Sequence, residues 1–584
     1  MNLHRREFLE ILACAAALGM PLTGRARDAQ EIYRDKAFGN LRLLHITDCH
    51  AQLLPVHFRE PHFNIGLGGA RGKPPHLVGE ALLEYFRIPA GGIEAHAFTH
   101  LDFVEAAHRY GKVGGFAHLM TLVSRLRGEV GAHRSLLLDG GDTWQGSGTA
   151  LWTQGEDMVE AANLLGVDVM TGHWEFTYPE QRVRANLERL QADFIAQNVR
   201  VREEALFDGA PAFDEDSGHA FEPYTIKEVG AHRIAIVGQA FPYTPIANPA
   251  RFIPDWSFGI RNDEMQALVD AIREDEKPDA LVLLSHNGMD VDLKMASKVR
   301  GIDAILGGHT HDAVPAPVLV ENPGGKTLVT NAGSNGKFLA VLDLDIDAKR
   351  VRDYRYRLLP VFSDLLDPDP QMNALIERVR APFVDTLNEA LAVADRPLYR
   401  RGNFSGTFDQ LICDALRAVE DAQIALSPGF RWGTTILPGQ TVTMEDVLAQ
   451  TATTYPETYV REMKGSDLKL ILEDVADNLF NPDPYYQQGG DMVRVGGLDY
   501  ACDPSQSIGR RIFDMALDNG EAIQAEKSYK VAGWATVNPS PGPPIWETVA
   551  AYLRDRKSTG IERMNNPKLV NVSGNPGIAE GSDS

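Results

Sequence analysis

Between residues 40 and 345, short runs of Leu, Ile and Val alternate with stretches of helical periodicity, and several of the runs end in Asp or His beside Gly. The apolar runs lie at 41–47, 135–138, 233–239, 280–285, 304–306, 327–331 and 338–346, and the helical patterns at 157–165, 179–190 and 263–274. An apolar run without polar alternation reads as a strand covered on both faces, and strands separated by helices read as a layered α/β domain. In such a domain the loops beyond the carboxyl ends of the strands carry the side chains that bind and react, because a rigid sheet holds them from below.

Five blocks stand at such ends: Thr47-Asp48-Cys49-His50, Asp139-Gly140-Gly141-Asp142, Gly172-His173-Trp174-Glu175, Ser285-His286-Asn287-Gly288 and Gly307-Gly308-His309-Thr310-His311. Any one alone is an ordinary turn or a packed histidine. Together they converge on one crevice, and the glycines let the backbone approach whatever the side chains hold. Carboxylates offset the charge of divalent cations and imidazoles fix their geometry, so the mixture suits two dications that activate water. Cys49, between two of these residues, reads as a small buried residue rather than a thiolate ligand.

In order, the blocks resemble the five motifs of the metallophosphoesterase and 5′-nucleotidase superfamily: Asp-x-His, Gly-Asp, Gly-Asn-His-Glu, Ser/Thr-His-x-Gly and Gly-His-x-His. The resemblance implies an α/β fold, with a layered αββα sandwich over 35–365 followed by a smaller α+β substrate-binding domain over 396–570. Asp414-Ala415-Leu416-Arg417, Gly429-Phe430-Arg431 before Leu437-Pro438-Gly439, and Gly489-Gly490 anchor the second part. It further implies that Asp48, His50, Asp142 and His311 hold one metal, that Asp142, His173, His286 and His309 hold the other, and that Asp142 bridges the two.

The third block departs from the pattern. Family nucleotidases read Gly-Asn-His-Glu-Phe-Asp, whereas this chain reads Gly172-His173-Trp174-Glu175-Phe176-Thr177. His173 replaces a metal-binding Asn and can still ligate. Trp174 replaces the His that donates to the transition state, and Thr177 replaces its Asp partner. Losing a general acid costs about 10²–10⁴-fold when a poor alkoxide must leave; a sulfur anion is far less basic and suffers less. The variant is similar to the SoxB-type thiosulfohydrolases of sulfur oxidation, as are His57-Phe58-Arg59-Glu60-Pro61, Lys73-Pro74-Pro75-His76, Trp144-Gln145-Gly146-Ser147 and Thr454-Tyr455-Pro456-Glu457. That resemblance implies release of sulfate from a cysteine S-thiosulfonate on the arm of the SoxYZ carrier protein. Two Mn2+ ions, or Zn2+ or a mixed pair, would be the cofactor, with a metal-bridging hydroxide attacking the sulfone sulfur. Trp174 and Arg431 would then be catalytic, with Arg431, Arg417, Tyr455 and Trp174 contacting substrate. The alternative is a periplasmic 5′-nucleotidase or cyclic-nucleotide phosphodiesterase, whose paired C-terminal aromatics the sequence does not single out.

Elsewhere, the segment 52–113 is rich in Gly, Pro and His and reads as a long loop inserted into the first domain. A Pro/Asp stretch at 364–370 leads into a helical run at 372–393, a linker helix within 366–395, and the polar tail 571–584 reads as flexible. Arg5-Arg6-Glu7-Phe8-Leu9 before an apolar run at 11–22 reads as a twin-arginine signal over 1–27, implying the periplasm. The run is shorter than the roughly 20 residues of a membrane span, so no stable membrane insertion is expected. The net charge of -23 argues against a nucleic-acid partner, which needs a basic field. Beyond the signal only Cys49, Cys413 and Cys502 remain, and a Cys413–Cys502 bridge is left open.

Overall fold

The computed structural model describes residues 32–34 and 36–579; the signal read over 1–27 lies outside them. In chain order the first unit supplies β1 (Leu41–Ile46), β2 (Ser135–Asp139), β3 (Val169–Met170), β4 (Asp193–Phe194), β5 (Tyr224–Val229), β6 (His232–Gln239), β7 (Ala280–Ser285), β8 (Ala304–Gly307), β9 (Val318–Asn322), β10 (Gly325–Asn331), β11 (Phe338–Asp347) and β12 (Arg350–Pro360). They form two six-stranded sheets, ordered β12-β11-β1-β2-β3-β4 and β9-β10-β8-β7-β6-β5. The ligand-bearing strands β1 and β2 are parallel neighbours, and so are β6, β7 and β8.

The continuous apolar runs have a direct cause. Side chains alternate across a strand, so Leu41 and Leu43 of β1 face the other sheet, in a core shared with Ile234, Ile236, Val282, Leu284 and Leu306. Leu44 and Ile46 face outward onto the helices Phe116–Val130 and Glu156–Leu165. On the second sheet, Val237, Leu283 and Ile305 face the helices Asn262–Asp275 and Met289–Lys298. Helix, sheet, sheet and helix thus make four layers in which neither face of a central strand meets water.

The segment 52–113 is not one irregular loop. It carries the helices Gly79–Phe86, Ile93–Phe98 and Phe103–Tyr110. Phe58, Leu77, Leu82 and Phe98 pack on Phe338, Leu358 and Phe362 of the first unit. These short helices are spaced by Gly and Pro, which mask their periodicity. The run at 372–393 is also not one helix. Asp369 caps Pro370–Arg380 by accepting from the N–H groups of Gln371 and Met372 at 2.9 and 3.0 Å. Pro382 has no N–H to give the helix ladder and sits in a tighter turn, and after one more helical turn Ala390–Val393 becomes a strand paired with Thr441–Thr443.

The C-terminal unit is built on a four-stranded sheet, in the order Thr458–Lys464, Ser528–Trp534, Ile424–Ser427 and Arg494–Gly496. The helices Thr407–Glu420, Met444–Thr451 and Ile545–Arg556 share one core with it, and Gly465–Phe480 shares another. Cys413 lies in the first core and Cys502 in the second; all three described cysteines are free and buried. The tail is not loose over 571–579. Gly577 and Pro576 accept from the N–H groups of Asn64 and Val78 at 2.8 and 3.1 Å, and the Asn575 amide donates to Gly66 at 2.9 Å. Among the described residues no helix is long and apolar enough to cross a membrane.

Candidate metal centre

The carboxyl ends of β1, β2, β3, β7 and β8 bring the seven expected ligands to one place. Their ligand atoms fall into two buried groups, Asp48, His50, Asp142 and His311, and Asp142, His173, His286 and His309, each within 4.8 Å. Asp142 belongs to both, as a bridging carboxylate must. The backbone does much of the aiming: Asp48, His50, Asp142, His309 and His311 all hold left-handed φ angles between 46° and 72°. Gly308 is required where it stands, because a Cβ there would lie 2.2 Å from Thr47 Oγ1 and 2.9 Å from Asp48 Oδ2.

Within the pair, His50 Nε2 faces His311 Nε2 at 3.0 Å, His311 Nε2 lies 3.2 Å from Asp48 Oδ1, His286 Nε2 lies 3.1 Å from Asp142 Oδ2, and His173 Nδ1 lies 3.2 Å from Asp142 Oδ1. Nitrogens and carboxylates crowded this closely need a cation between them. His309 Nε2 is buried with no hydrogen-bond partner. Burial pulls the His286 imidazole down, but Asp142 and Asp48 outweigh it and push its pKa up to about 10. Burial also pushes the Asp142 carboxyl up, yet His173 and His286 hold it well below the usual carboxylate range. The residues fit two dications: the cluster demands positive charge, and the donor set is the N,O mixture that divalent ions take.

Glu175, quoted in the third block but given no role there, organises the loops. Its carboxylate accepts from the N–H groups of Asp142, Thr143, Trp144 and His173 at 2.7–3.2 Å. Trp174 donates its backbone N–H to Asp142 Oδ1 at 2.7 Å, while its buried indole packs edge-on against Phe430 and Trp432 and stacks on Tyr455. Trp432 in turn stacks on His50 at 5.7 Å. Thr177 closes the turn by donating to the Trp174 carbonyl. Of this aromatic box the sequence marked Tyr455 and Trp174 as substrate contacts; Phe430 and Trp432, two residues apart in the chain, carry no motif that joins them to the other two.

Arg431 reaches the centre. It donates to the Thr310 carbonyl at 3.1 Å, to the Gly490 carbonyl at 2.7 Å and to Asp491 at 3.3 Å. Arg401, absent from the sequence expectations, donates to the His311 carbonyl at 3.3 Å. The C-terminal unit therefore grips this ligand loop through the carbonyls of Thr310 and His311. Arg417 is not gathered here; it pairs with Asp518 at 2.9 Å within its own unit. Cys49 lies outside both ligand groups, and burial pushes its thiol well up.

Residues 387–539 match the family model described as 5′-nucleotidase, C-terminal domain. The structure of the Thermus thermophilus sulfate thiohydrolase SoxB matches with a TM-score of 0.86 at 36% sequence identity, covering 92% of this chain and 98% of that one. The 5′-nucleotidase of Bos taurus is 26% identical over 72% of this chain and 76% of its own length. The trifunctional nucleotide phosphoesterase YfkN of Bacillus subtilis is 26% identical over 74% of this chain, which spans 31% of that protein.

Proposed function

The chain belongs to the 5′-nucleotidase superfamily as a SoxB-type member, and on that premise we propose that it is a hydrolase releasing sulfate from a cysteine S-thiosulfonate borne on the SoxYZ carrier protein. Trp174 carries the reading. The position that supplies a proton-donating imidazole in nucleotidases holds an indole packed in an aromatic box. Thr177, in place of the Asp partner, is spent on a backbone carbonyl. A leaving group that departs here must do without a proton from that position, which suits a sulfur anion and penalises an alkoxide by about 10²–10⁴-fold.

Asp48, His50, Asp142, His173, His286, His309 and His311 would hold two Mn2+ ions, which when bound lower the pKa of water and polarise the oxyanion under attack. The chain's own residues do the rest. With three donors committed to Thr310, Gly490 and Asp491, Arg431 keeps one N–H on each terminal nitrogen for sulfonate oxygens. Trp174, Phe430 and Trp432 exclude water from the side where the sulfur departs. Burial pushes the Tyr455 phenol up, so it stays a neutral wall of the same box. The reading places the enzyme in the periplasm after twin-arginine export, on the strength of Arg5-Arg6 and the apolar run behind it.

A nucleotidase reading draws support from the match over 387–539. Against it stands the indole of Trp174, packed among Phe430, Trp432 and Tyr455 where a nucleotidase has its imidazole. The assay compares sulfate release from thiosulfonated carrier with phosphate release from AMP, using Mn2+-loaded protein. Sulfate release with slow AMP turnover is expected. Rapid AMP turnover with an inert carrier would overturn the proposal.

A further inference from the structure

His173, the ligand that departs from the family pattern, has support on its far side. Its Nδ1 faces Asp142, while its Nε2 lies 3.3 Å from Asn248 Nδ2, and Asn248 Oδ1 accepts from the Tyr455 hydroxyl at 3.0 Å. All three residues are buried. Asn248 follows the short helix Thr244–Ala247 of the first unit, and Tyr455 belongs to the C-terminal unit. The ring of His173 also packs on Phe241, with centroids 4.1 Å apart. That contact fixes the face of the imidazole, and the bond at Nε2 fixes its rotation within that plane.

A neutral imidazole that gives the Nδ1 lone pair to a cation carries its proton on Nε2 and needs an acceptor there; with the proton on Nδ1 it needs a donor. An Asn amide offers either by a half-turn that interchanges its oxygen and nitrogen. The Tyr455 hydroxyl can meet either orientation, since it both donates and accepts.

We propose that Asn248, held by Tyr455, is the positioning residue that sets His173 for the second cation, so that the C-terminal unit contributes to the affinity of a site whose ligands all lie in the first. The proposal rests on the two-metal centre and not on the sulfur chemistry. Partners of this kind are worth roughly 10–100-fold in metal affinity.

The test uses the full chain and Mn2+ alone. Binding is measured by equilibrium dialysis against a competing chelator, with metal counted per chain and the Mn2+ electron paramagnetic resonance recorded. For Asn248→Ala, the second ion should weaken by roughly 10–100-fold, and the spectrum should pass from a coupled pair to an isolated ion. Tyr455→Phe keeps the ring on Trp174 and should lose a smaller part of the affinity. Asn248→Asp, whose carboxylate accepts from Nε2–H, should restore it. The proposal fails if Asn248→Ala binds both ions as tightly as the parent, or if Asn248→Asp weakens binding as much as alanine does, which marks packing alone. Should Asn248→Ala not fold, judged by circular dichroism, Tyr455→Phe decides: parental affinity for both ions overturns the proposal. Because no substrate is present, a negative result leaves the thiosulfohydrolase reading standing, and a failed carrier assay leaves this one standing.

Discussion

Five of the seven ligand residues carry left-handed backbone angles, which cost a non-glycine residue about 1–3 kcal/mol each. The surrounding hydrogen bonds hold them there: Gly141 and Asp142 carbonyls accept from Asp48 and His50 N–H at 2.8 Å, and Asp48 accepts from His309 N–H at 3.0 Å. The ligands are therefore aimed by the chain, and one residue, Asp142, sits at the junction of both groups. Elemental analysis of the Mn2+-loaded Asp142→Ala protein should find metal falling from two per chain toward none, whereas His309→Ala should fall toward one. Two ions retained without Asp142 would exclude it as the bridge. The ligands could be read from sequence because residue type, neighbouring Gly and strand-end position coincide at each. Asn248 could not, because it lies in an aperiodic Pro-rich stretch and its partner Tyr455 is 207 residues away. Arg417 misled because a single Arg on a helix carries no mark that separates a substrate contact from an ion pair such as its own with Asp518.

At the level of elements, the central strands other than β3, which has only two residues, were legible because burial on both faces leaves an unbroken apolar run. The edges were not. In β12 the charged residues Arg350, Arg352, Asp353, Arg355 and Arg357 interrupt the pattern, as suits an edge strand with a solvent-facing side. β9 alternates half-buried with exposed positions for the same reason. The inserted helices and the tail depend on each other across the chain, a relation no local window contains. Since Gly577 and Pro576 accept from Asn64 and Val78, deleting 571–584 should speed hydrogen exchange at those two amides while leaving β1 and β7 protected. Unchanged exchange at Asn64 and Val78 would show that the tail does not clamp the insertion.

Across the whole molecule, the ligands come from the first unit, but Arg401, Arg431 and the aromatic box that cover them come from the second. Binding to the folded state alone raises stability by about 2.7 kcal/mol per site when free ion exceeds Kd a hundredfold. Prolonged dialysis against chelator should therefore lower the melting temperature by several degrees in differential scanning calorimetry, and Mn2+ should restore it. Equal melting of stripped and loaded protein would mean that the metal centre does not stabilise the fold.

The cover is tight. A single methyl group on Gly489 would lie 1.9 Å from His309 Nε2, so the backbone of the second unit passes directly over the ring of a ligand residue. With every ligand buried beneath such a cover, exchange of the ions is expected to be slow, so that brief chelation leaves them in place where prolonged dialysis removes them. The metal content of a preparation should then lag behind the solution in which it is assayed, and be counted beside its activity.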